Sequence, residues 1–156
     1  AAARREERLK ELAEECKDLP GELVWYAGDV GDPETAVGMV KKAVETFGKL
    51  DVAVNDAGIM DDNTAIADLS DEMLHETFRI NTFGLMYGMR EECRQYLAQG
   101  EGGVIVNICS VGATHQTSGA APTAPARARY WRRQRIPRSC TWRRASAAMR
   151  FPPAVW

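Results

Sequence analysis

The sequence predicts an α/β protein in which a partial, doubly wound parallel sheet of three strands is flanked by helices. Three short segments with apolar or β-favouring residues alternate with helical segments, and this alternation is typical of βαβ units. The last of the three, residues 103–109, is apolar enough to be buried on both faces, as strands of parallel sheets are. The chain of 156 residues is 45% apolar and 27% charged, which suits one globular domain.

The first part of the chain predicts a helix, a strand and a second helix. Good helix formers fill residues 4–16, and the β-rich residues 22–27 follow as a strand. Asp32 is predicted to cap the second helix, Pro33 to begin it and Gly48 to end it. The apolar side chains predicted to face inward from this helix are Val37, Val40, Ala43, Val44 and Phe47.

The middle of the chain repeats the same order. Residues 50–55 are too short and apolar for a helix and are predicted to be a strand, with a loop over residues 56–68. Ser70 is predicted to cap a long helix that closes at Gly100, and residues 103–109 form the third strand.

Charge divides the chain into two unequal parts. Residues 1–122 hold all 22 acidic residues and 11 of the 20 Lys and Arg, whereas residues 123–156 hold nine arginines and no acid. The second part also contains three of the four tryptophans, four of the seven prolines and no leucine, so it cannot bury much core. We therefore expect a partial α/β domain over residues 1–122 and a disordered tail over residues 123–156.

The composition also predicts the compartment. No apolar run approaches the length of a membrane span, and no charged segment followed by an apolar stretch suggests a signal peptide. The cysteines lack the paired spacing of a zinc site and are predicted to be reduced thiols in a cytoplasmic protein that binds no metal. They are Cys16, Cys93, Cys109 and Cys140.

Four short motifs follow the predicted elements in a fixed order. Asp29-Val30 follows the first strand, Asn55-Asp56-Ala57-Gly58 follows the second, Asn81 lies inside the long helix and Ser110 follows the third strand. Taken singly, each motif is more often a turn, a solvated polar residue or a helix cap. Taken together, on these elements and in this order, they make residues 1–122 resemble the short-chain dehydrogenase/reductase family.

The resemblance implies a Rossmann-like fold that holds NADP or NAD across the strand ends and transfers hydride between it and a ketone or secondary alcohol. It assigns cofactor contacts to Asp29 and Val30, at the adenine, and to Asn55, Ala57 and Gly58, along the cofactor. It assigns catalytic roles to Asn81, which bends its helix and holds a proton-relay water, and to Ser110, which hydrogen-bonds the substrate carbonyl. Intact members of the family are expected to be homo-oligomers that act on small molecules.

The beginning of the chain departs from the family pattern. Residues 1–3 resemble the end of the family's second strand, so the glycine-rich phosphate turn that precedes it is absent and the chain is expected to be truncated. Arg4 and Arg5 stand where the family selects the ribose end of the cofactor, and basic residues there favour NADP over NAD. Two solvated arginines at a helix start explain the same residues equally well.

The catalytic tyrosine and lysine of the family are also missing. Counting from Ser110, their positions hold Thr123 and Arg127. Codons exist for residues 122–127 that, read one base earlier, encode Tyr-Gly-Ala-Ser-Lys, so a frameshift after Pro122 would explain both the loss and the unusual tail. On this interpretation the chain as written is an inactive fragment.

The arrangement of the strands and the basic tail lead to two further expectations. In the family's strand order, residues 103–109 lie beside residues 50–55, and their outer edge is bare. Residues 22–27 have no native neighbour, so they either close the gap against residues 50–55 or leave an open apolar edge that invites aggregation. As an alternative function, a non-catalytic protein could bind RNA or DNA through its Arg-rich tail, in which Trp131 and Trp142 are interleaved. Because the tail has no lysine, repeat or known basic motif, nucleic acid is the less favoured partner.

Overall fold

The computed structural model describes residues 1–60, 64–108 and 134–136. The elements, in chain order, are β1 (Ala2–Ala3), α1 (Glu6–Cys16), β2 (Tyr26–Ala27), α2 (Pro33–Phe47), β3 (Val52–Asn55), a 3-10 turn (Ile66–Asp68), α3 (Asp71–Phe78), a π-helical segment (Arg79–Gly84), α4 (Leu85–Gln99), β4 (Gly103–Asn107) and β5 (Gln134–Ile136). No described helix is long and apolar enough to cross a membrane.

The strands form two separate sheets. β1 and β2 pair in parallel, and β3 and β4 pair in parallel in a second sheet that β5 extends. The β3–β4 register runs from Val52 opposite Val104 to Asn55 opposite Asn107. The predicted α/β class, the parallel strands and the pairing of the second and third predicted strands are therefore confirmed.

The strand predicted over residues 22–27 is shorter than expected and has a neighbour. Only Tyr26 and Ala27 are paired, because their partner strand β1 is two residues long. The Tyr26 N–H donates to the Ala1 carbonyl at 2.9 Å, and the Gly28 N–H donates to the Ala3 carbonyl at 3.0 Å. The expectation that this strand lacks a neighbour is thus wrong, although no described strand pairing joins β2 to β3.

The outer edge of β4 is paired with β5. β5 runs antiparallel to β4, with Gly103 opposite Ile136 and Ile105 opposite Gln134. The expectation of a bare edge is therefore wrong over these three residues. Residues 109–133 and 137–156, which include most of the predicted tail, lie outside the described residues.

Four predicted helix caps are confirmed, whereas α1 begins at Glu6 rather than at residue 4 and the predicted long helix is interrupted by the π-helical segment. The Asp32 carboxylate accepts a hydrogen bond from the Glu34 N–H at 3.0 Å, and the Ser70 hydroxyl accepts one from the Met73 N–H at 3.2 Å. Gly48 and Gly100 end α2 and α4 with φ of +81° and +75°, a left-handed conformation that glycine adopts without steric cost.

The central core lies between α4 and the β3–β4 pair. Ala53, Tyr96 and Ile105 are buried there, and the Tyr96 hydroxyl donates to the Val104 carbonyl at 3.1 Å. The ring of Tyr96 lies directly over Gly103, where any side chain would collide with it. Two residues predicted to face inward, Val37 and Phe47, are instead 40% and 48% exposed, because α2 packs through other side chains: Thr35, Ala36 and Val40.

Candidate functional site

The site is built on strand ends. β2 leads directly to Asp29, β3 ends at Asn55 and β4 ends at Asn107. In each parallel pair the carboxyl ends lie at the same edge of the sheet, and ligands of open α/β sheets bind outside such edges. A ligand is therefore expected at these strand ends. The residues that the sequence predicts to bind a cofactor follow them.

Asp29 is held as an ionised hydrogen-bond acceptor. Its Oδ1 accepts from the Gly31 N–H at 2.9 Å, and its Oδ2 accepts from Arg79 Nη2 at 2.8 Å. Burial alone would raise the pKa of this carboxyl, but the hydrogen bonds from Arg79 and Gly31 outweigh it and hold the pKa below its usual value. A third of the Asp29 side chain remains exposed, so the carboxylate can still meet a ligand.

Arg79 joins the Asp29 loop to the long helix. Its guanidinium also pairs with Glu76 at 2.6 Å and lies against Gly31, where a Cβ would collide with it. Hydrogen bonds to Glu76 and Asp29 raise the pKa of Arg79 above its usual value, so it remains charged. The cation therefore fixes the direction of the Asp29 carboxylate.

Val30 packs where the helix comes closest to this loop. A Cβ on Gly84 would lie 2.9 Å from the Val30 carbonyl oxygen and 3.0 Å from Val30 Cγ2. The helix can approach the loop this closely only because residue 84 has no side chain.

Arg4 and Arg5 follow β1 and are exposed. The charge of Arg4 is close enough to lower the pKa of both Asp29 and Glu76. Arg4 thus places a positive charge near the sheet end on which Asp29 lies.

A buried polar cluster joins the other two strand ends. Asn55 Nδ2 donates both to Asn107 Oδ1 at 3.0 Å and to Glu92 Oε2 at 3.1 Å. The Asn55 carbonyl accepts the Ile108 N–H at 2.9 Å. Burial raises the pKa of Glu92 to about 7, and the hydrogen bond from Asn55 only partly opposes this.

The loop after β3 is clamped by Asn81. The Ile59 N–H donates to Asn81 Oδ1 and Asn81 Nδ2 donates to the Ile59 carbonyl, each at 2.8 Å. Asn81 is 2% exposed and lies within the π-helical segment, an irregularity that often marks functional sites. Ala57 and Gly58 are exposed, and with one methyl group between them they leave the loop surface without bulk.

The structure thus brings Asn81 to the loop that contains Asn55, Ala57 and Gly58. It separately brings Arg4 and Asp29 together. Ser110 lies outside the described residues, since the described range that contains β4 ends at Ile108, two residues before it. Among the described residues, no group of three or more His, Cys, Asp or Glu could hold a metal ion.

Sequence reasoning missed three polar residues of this region: Arg79, Glu92 and Asn107. The sequence carries a weak signal for Glu92, because Gly88 lies one helical turn before it and leaves room for a neighbouring chain. Arg79 and Asn107 lie within the segments around Asn81 and before Ser110 but were assigned no role, since their partners are distant in sequence.

Known proteins resemble this chain in sequence. A family model described as "short chain dehydrogenase" matches residues 1–124. A 3beta-hydroxysteroid dehydrogenase 2 from Eggerthella lenta is 39% identical over 111 residues, which are 71% of this chain and 43% of that protein. An L-rhamnose 1-dehydrogenase (NAD(P)(+)) from a Sphingomonas species is 43% identical over 99 residues, 64% of this chain and 39% of that protein. The chain spans less than half the length of these relatives.

Solved structures resemble it as well. A short chain dehydrogenase from Mycobacterium smegmatis matches with a TM-score of 0.78 and 30% identity, over 81% of this chain and 53% of that one. An actinorhodin polyketide ketoreductase solved with NADPH matches with a TM-score of 0.75 and 30% identity, over 81% and 48% of the two chains. Both comparisons agree with the partial Rossmann-like fold.

Proposed function

Because the model for short chain dehydrogenases matches residues 1–124, the chain belongs to the short-chain dehydrogenase/reductase family, and we propose that its site serves hydride transfer between NAD(P)H and a ketone or secondary alcohol. The observation that carries this proposal is the clamp between Asn81 and Ile59, which ties the π-helical segment to the loop after β3. The relatives differ in the substrates their names state, so the proposal extends only to the carbonyl or alcohol group.

The residues around Asp29 suit the adenine end of the cofactor. The carboxylate of Asp29 is ionised, fixed in direction and partly exposed, as an acceptor for an adenine amine must be. Val30 would line the ring. Ala57 and Gly58 would lie along the cofactor, and Asn55 would hold their loop in place. When bound, the nicotinamide supplies the hydride acceptor or donor.

Arg4 and Arg5 support a preference for NADP over NAD. Both side chains are exposed, and Arg4 lies close enough to Asp29 and Glu76 to lower the pKa of each carboxyl. Exposed guanidinium groups can pair with a ribose phosphate through charge-assisted hydrogen bonds.

Asn81 and Ser110 are the proposed catalytic residues. The Ser110 hydroxyl would donate to the substrate carbonyl and so stabilise the negative charge that develops on its oxygen. Asn81 would hold a water that relays protons, and the π-helical segment supports this role because it removes main-chain groups from regular helical hydrogen bonding.

Binding of the nucleotide tests the cofactor proposal. We expect NADPH to bind the chain more tightly than NADH, and Asp29→Asn to weaken the binding of both, because a neutral amide replaces the fixed acceptor. Asp51→Asn is the matched control, since Asp51 precedes β3 at the opposite edge of the sheet. Calorimetric titration measures the affinities of all three chains for both nucleotides; equal affinities for Asp29→Asn and the unmodified chain would contradict the assignment.

The chain as written is expected to have no dehydrogenase activity. Thr123 is far too weak an acid to replace the family's tyrosine, and Arg127 stays protonated with a different shape from lysine. General acid–base catalysis alone is worth about a hundredfold to ten-thousandfold in rate. Oxidation of NADPH with a panel of ketones, at rates clearly above a protein-free control, would contradict this expectation. The gene sequence around codon 122 separately tests the frameshift.

A further inference from the structure

Glu92 is a buried acid with no part in the site proposed above. It lies on α4 with 2% of its surface exposed, and its carboxylate faces the ends of β3 and β4 rather than solvent. Burying a charged group costs free energy unless its interactions with partner groups offset the lost hydration. A residue of this kind at a strand end therefore calls for a specific role.

The partner of Glu92 is the side chain of Asn55. Both acceptors of the Asn55 amide group, Glu92 Oε2 and Asn107 Oδ1, lie on the same side, at 3.1 and 3.0 Å from Nδ2. The two amide hydrogens can each serve one of them. If the amide were rotated by half a turn, its carbonyl oxygen would face two other oxygens, so this pair of acceptors selects one orientation.

The remaining contacts of the cluster fix the same arrangement. Asn107 Nδ2 donates to Met89 Sδ at 3.4 Å, which directs the Asn107 oxygen towards Asn55. Gly88, one turn before Glu92, lets α4 approach so closely that a Cβ there would lie 3.2 Å from Asn55 Oδ1. Helix and strand ends are thus joined by polar contacts at a point where each side has little room to move.

The proposed cofactor loop starts from this cluster. Asn55 is the last residue of β3, so the loop at residues 56–58 follows it directly, and its carbonyl accepts the Ile108 N–H. A shift of the Asn55 side chain therefore changes the spacing between the ends of β3 and β4 and the position of the loop that follows β3.

We propose that Glu92 is a positioning residue that orients the Asn55 amide and thereby sets the spacing between the ends of β3 and β4, from which the cofactor loop at residues 56–58 continues. The proposal rests on the proposed function for its effect on cofactor, but the orientation of Asn55 is a property of the protein alone. Either protonation state of the carboxyl offers an acceptor oxygen, and so does a glutamine amide.

Two variants of nearly the same volume as glutamate distinguish the effect of its hydrogen-bond acceptor from the effect of its packing. Glu92→Gln keeps an acceptor and is expected to bind NADPH within about twofold of the unmodified chain. Glu92→Met keeps the volume but leaves an Asn55 hydrogen without a partner, and we expect about a tenfold loss of affinity, as an unpaired buried group brings. Glu91→Gln is the control, because Glu91 pairs only with Arg90 and Arg94 on the same helix in the described contacts.

The NMR signals of the Asn55 side-chain amide provide the second measurement, made on the full chain without nucleotide. We expect these hydrogens to exchange with solvent more slowly than those of a free asparagine amide. The slow exchange should persist in Glu92→Gln and be lost in Glu92→Met, while circular dichroism reports the same helix content in both variants.

The outcomes distinguish this inference from the proposed function. If the unmodified chain binds no NADPH, the proposed function fails, and the Asn55 signals alone decide the role of Glu92. If NADPH binds but Glu92→Met binds it as well as Glu92→Gln does, the positioning role is overturned and the function stands. If Glu92→Met does not fold, fast exchange of the Asn55 amide in the unmodified chain would still overturn the role, and slow exchange that survives in Glu92→Gln supports it.

Discussion

At the scale of single residues, Glu92 makes stability depend on pH. Its pKa is about 7 in the folded chain, since burial outweighs the hydrogen bond from Asn55, against an ordinary value of 4.5. Between these values the folded state holds a proton that the unfolded chain has released, so the contribution of Glu92 to stability falls as pH rises through this window. The stability that protonated Glu92 contributes to the folded chain is fully present below about pH 4.5 and is lost above about pH 7.

Glu92→Gln is therefore expected to stabilise the protein at pH 8. One pKa unit corresponds to about 1.4 kcal/mol, so the free energy of unfolding should rise by up to about 3 kcal/mol at pH 8 and by much less at pH 5. Urea unfolding at pH 8 and at pH 5 measures this change in the free energy of unfolding. Glu91→Gln should bring no such gain, because hydrogen bonds from Arg90 and Arg94 outweigh burial and hold the pKa of Glu91 below its usual value. A Glu92→Gln chain with unchanged stability at pH 8 would disprove the argument.

At the scale of elements, the contact between the long helix and the Asp29 loop reverses the usual effect of a glycine. Replacing glycine by alanine inside a helix ordinarily stabilises it by about 1 kcal/mol. At Gly84 the new Cβ would lie 2.9 Å from the Val30 carbonyl oxygen, so helix and loop must separate. We expect Gly84→Ala to destabilise the chain by about 1–3 kcal/mol, the usual cost of overpacking.

Ala98→Gly provides the control for this prediction. Ala98 is an exposed residue of α4, so its replacement should show the ordinary propensity cost, at most about 1 kcal/mol. Chemical denaturation of both variants gives the comparison. A gain in stability for Gly84→Ala would mean that the loop moves aside without cost.

At the scale of the whole molecule, β3 presents an apolar surface that nothing described covers. Val52 and Val54 point to the same side of the strand and are 54% and 62% exposed, and β3 has no described partner on the edge away from β4. Open apolar strand edges invite association between chains. We expect the combined Val52→Thr and Val54→Thr substitutions to lower light scattering on concentration, with little change in stability.

Val37→Thr serves as the comparison for that experiment. Val37 is 40% exposed on α2, a helix that offers no unpaired strand edge. It should therefore reduce scattering far less than the strand substitutions do. Equal reductions would attribute association to apolar surface in general rather than to the Val52–Val54 face of β3.

The local features of the fold were predictable from the sequence, and the tertiary ones were not. Asp32, Ser70, Gly48 and Gly100 act on neighbouring residues, so their caps follow from sequence alone. β1 was not predicted to pair with β2 because two alanines carry no periodicity. Glu92 was not predicted to be buried because a helical glutamate is ordinarily solvated and its partner Asn55 is 37 residues away.

The separation of the two sheets has a consequence for how the molecule unfolds. Since no described backbone ladder joins β1–β2 to β3–β4, the two halves depend on each other through side-chain packing of α2, the contact of Gly84 with Val30 and the Arg79–Asp29 ion pair, which spans 50 residues. Both partners are about one-third exposed, and salt screens such pairs. The sharpness of the unfolding transition should therefore depend on ionic strength. In concentrated salt, the two halves should separate before either has lost its own helices.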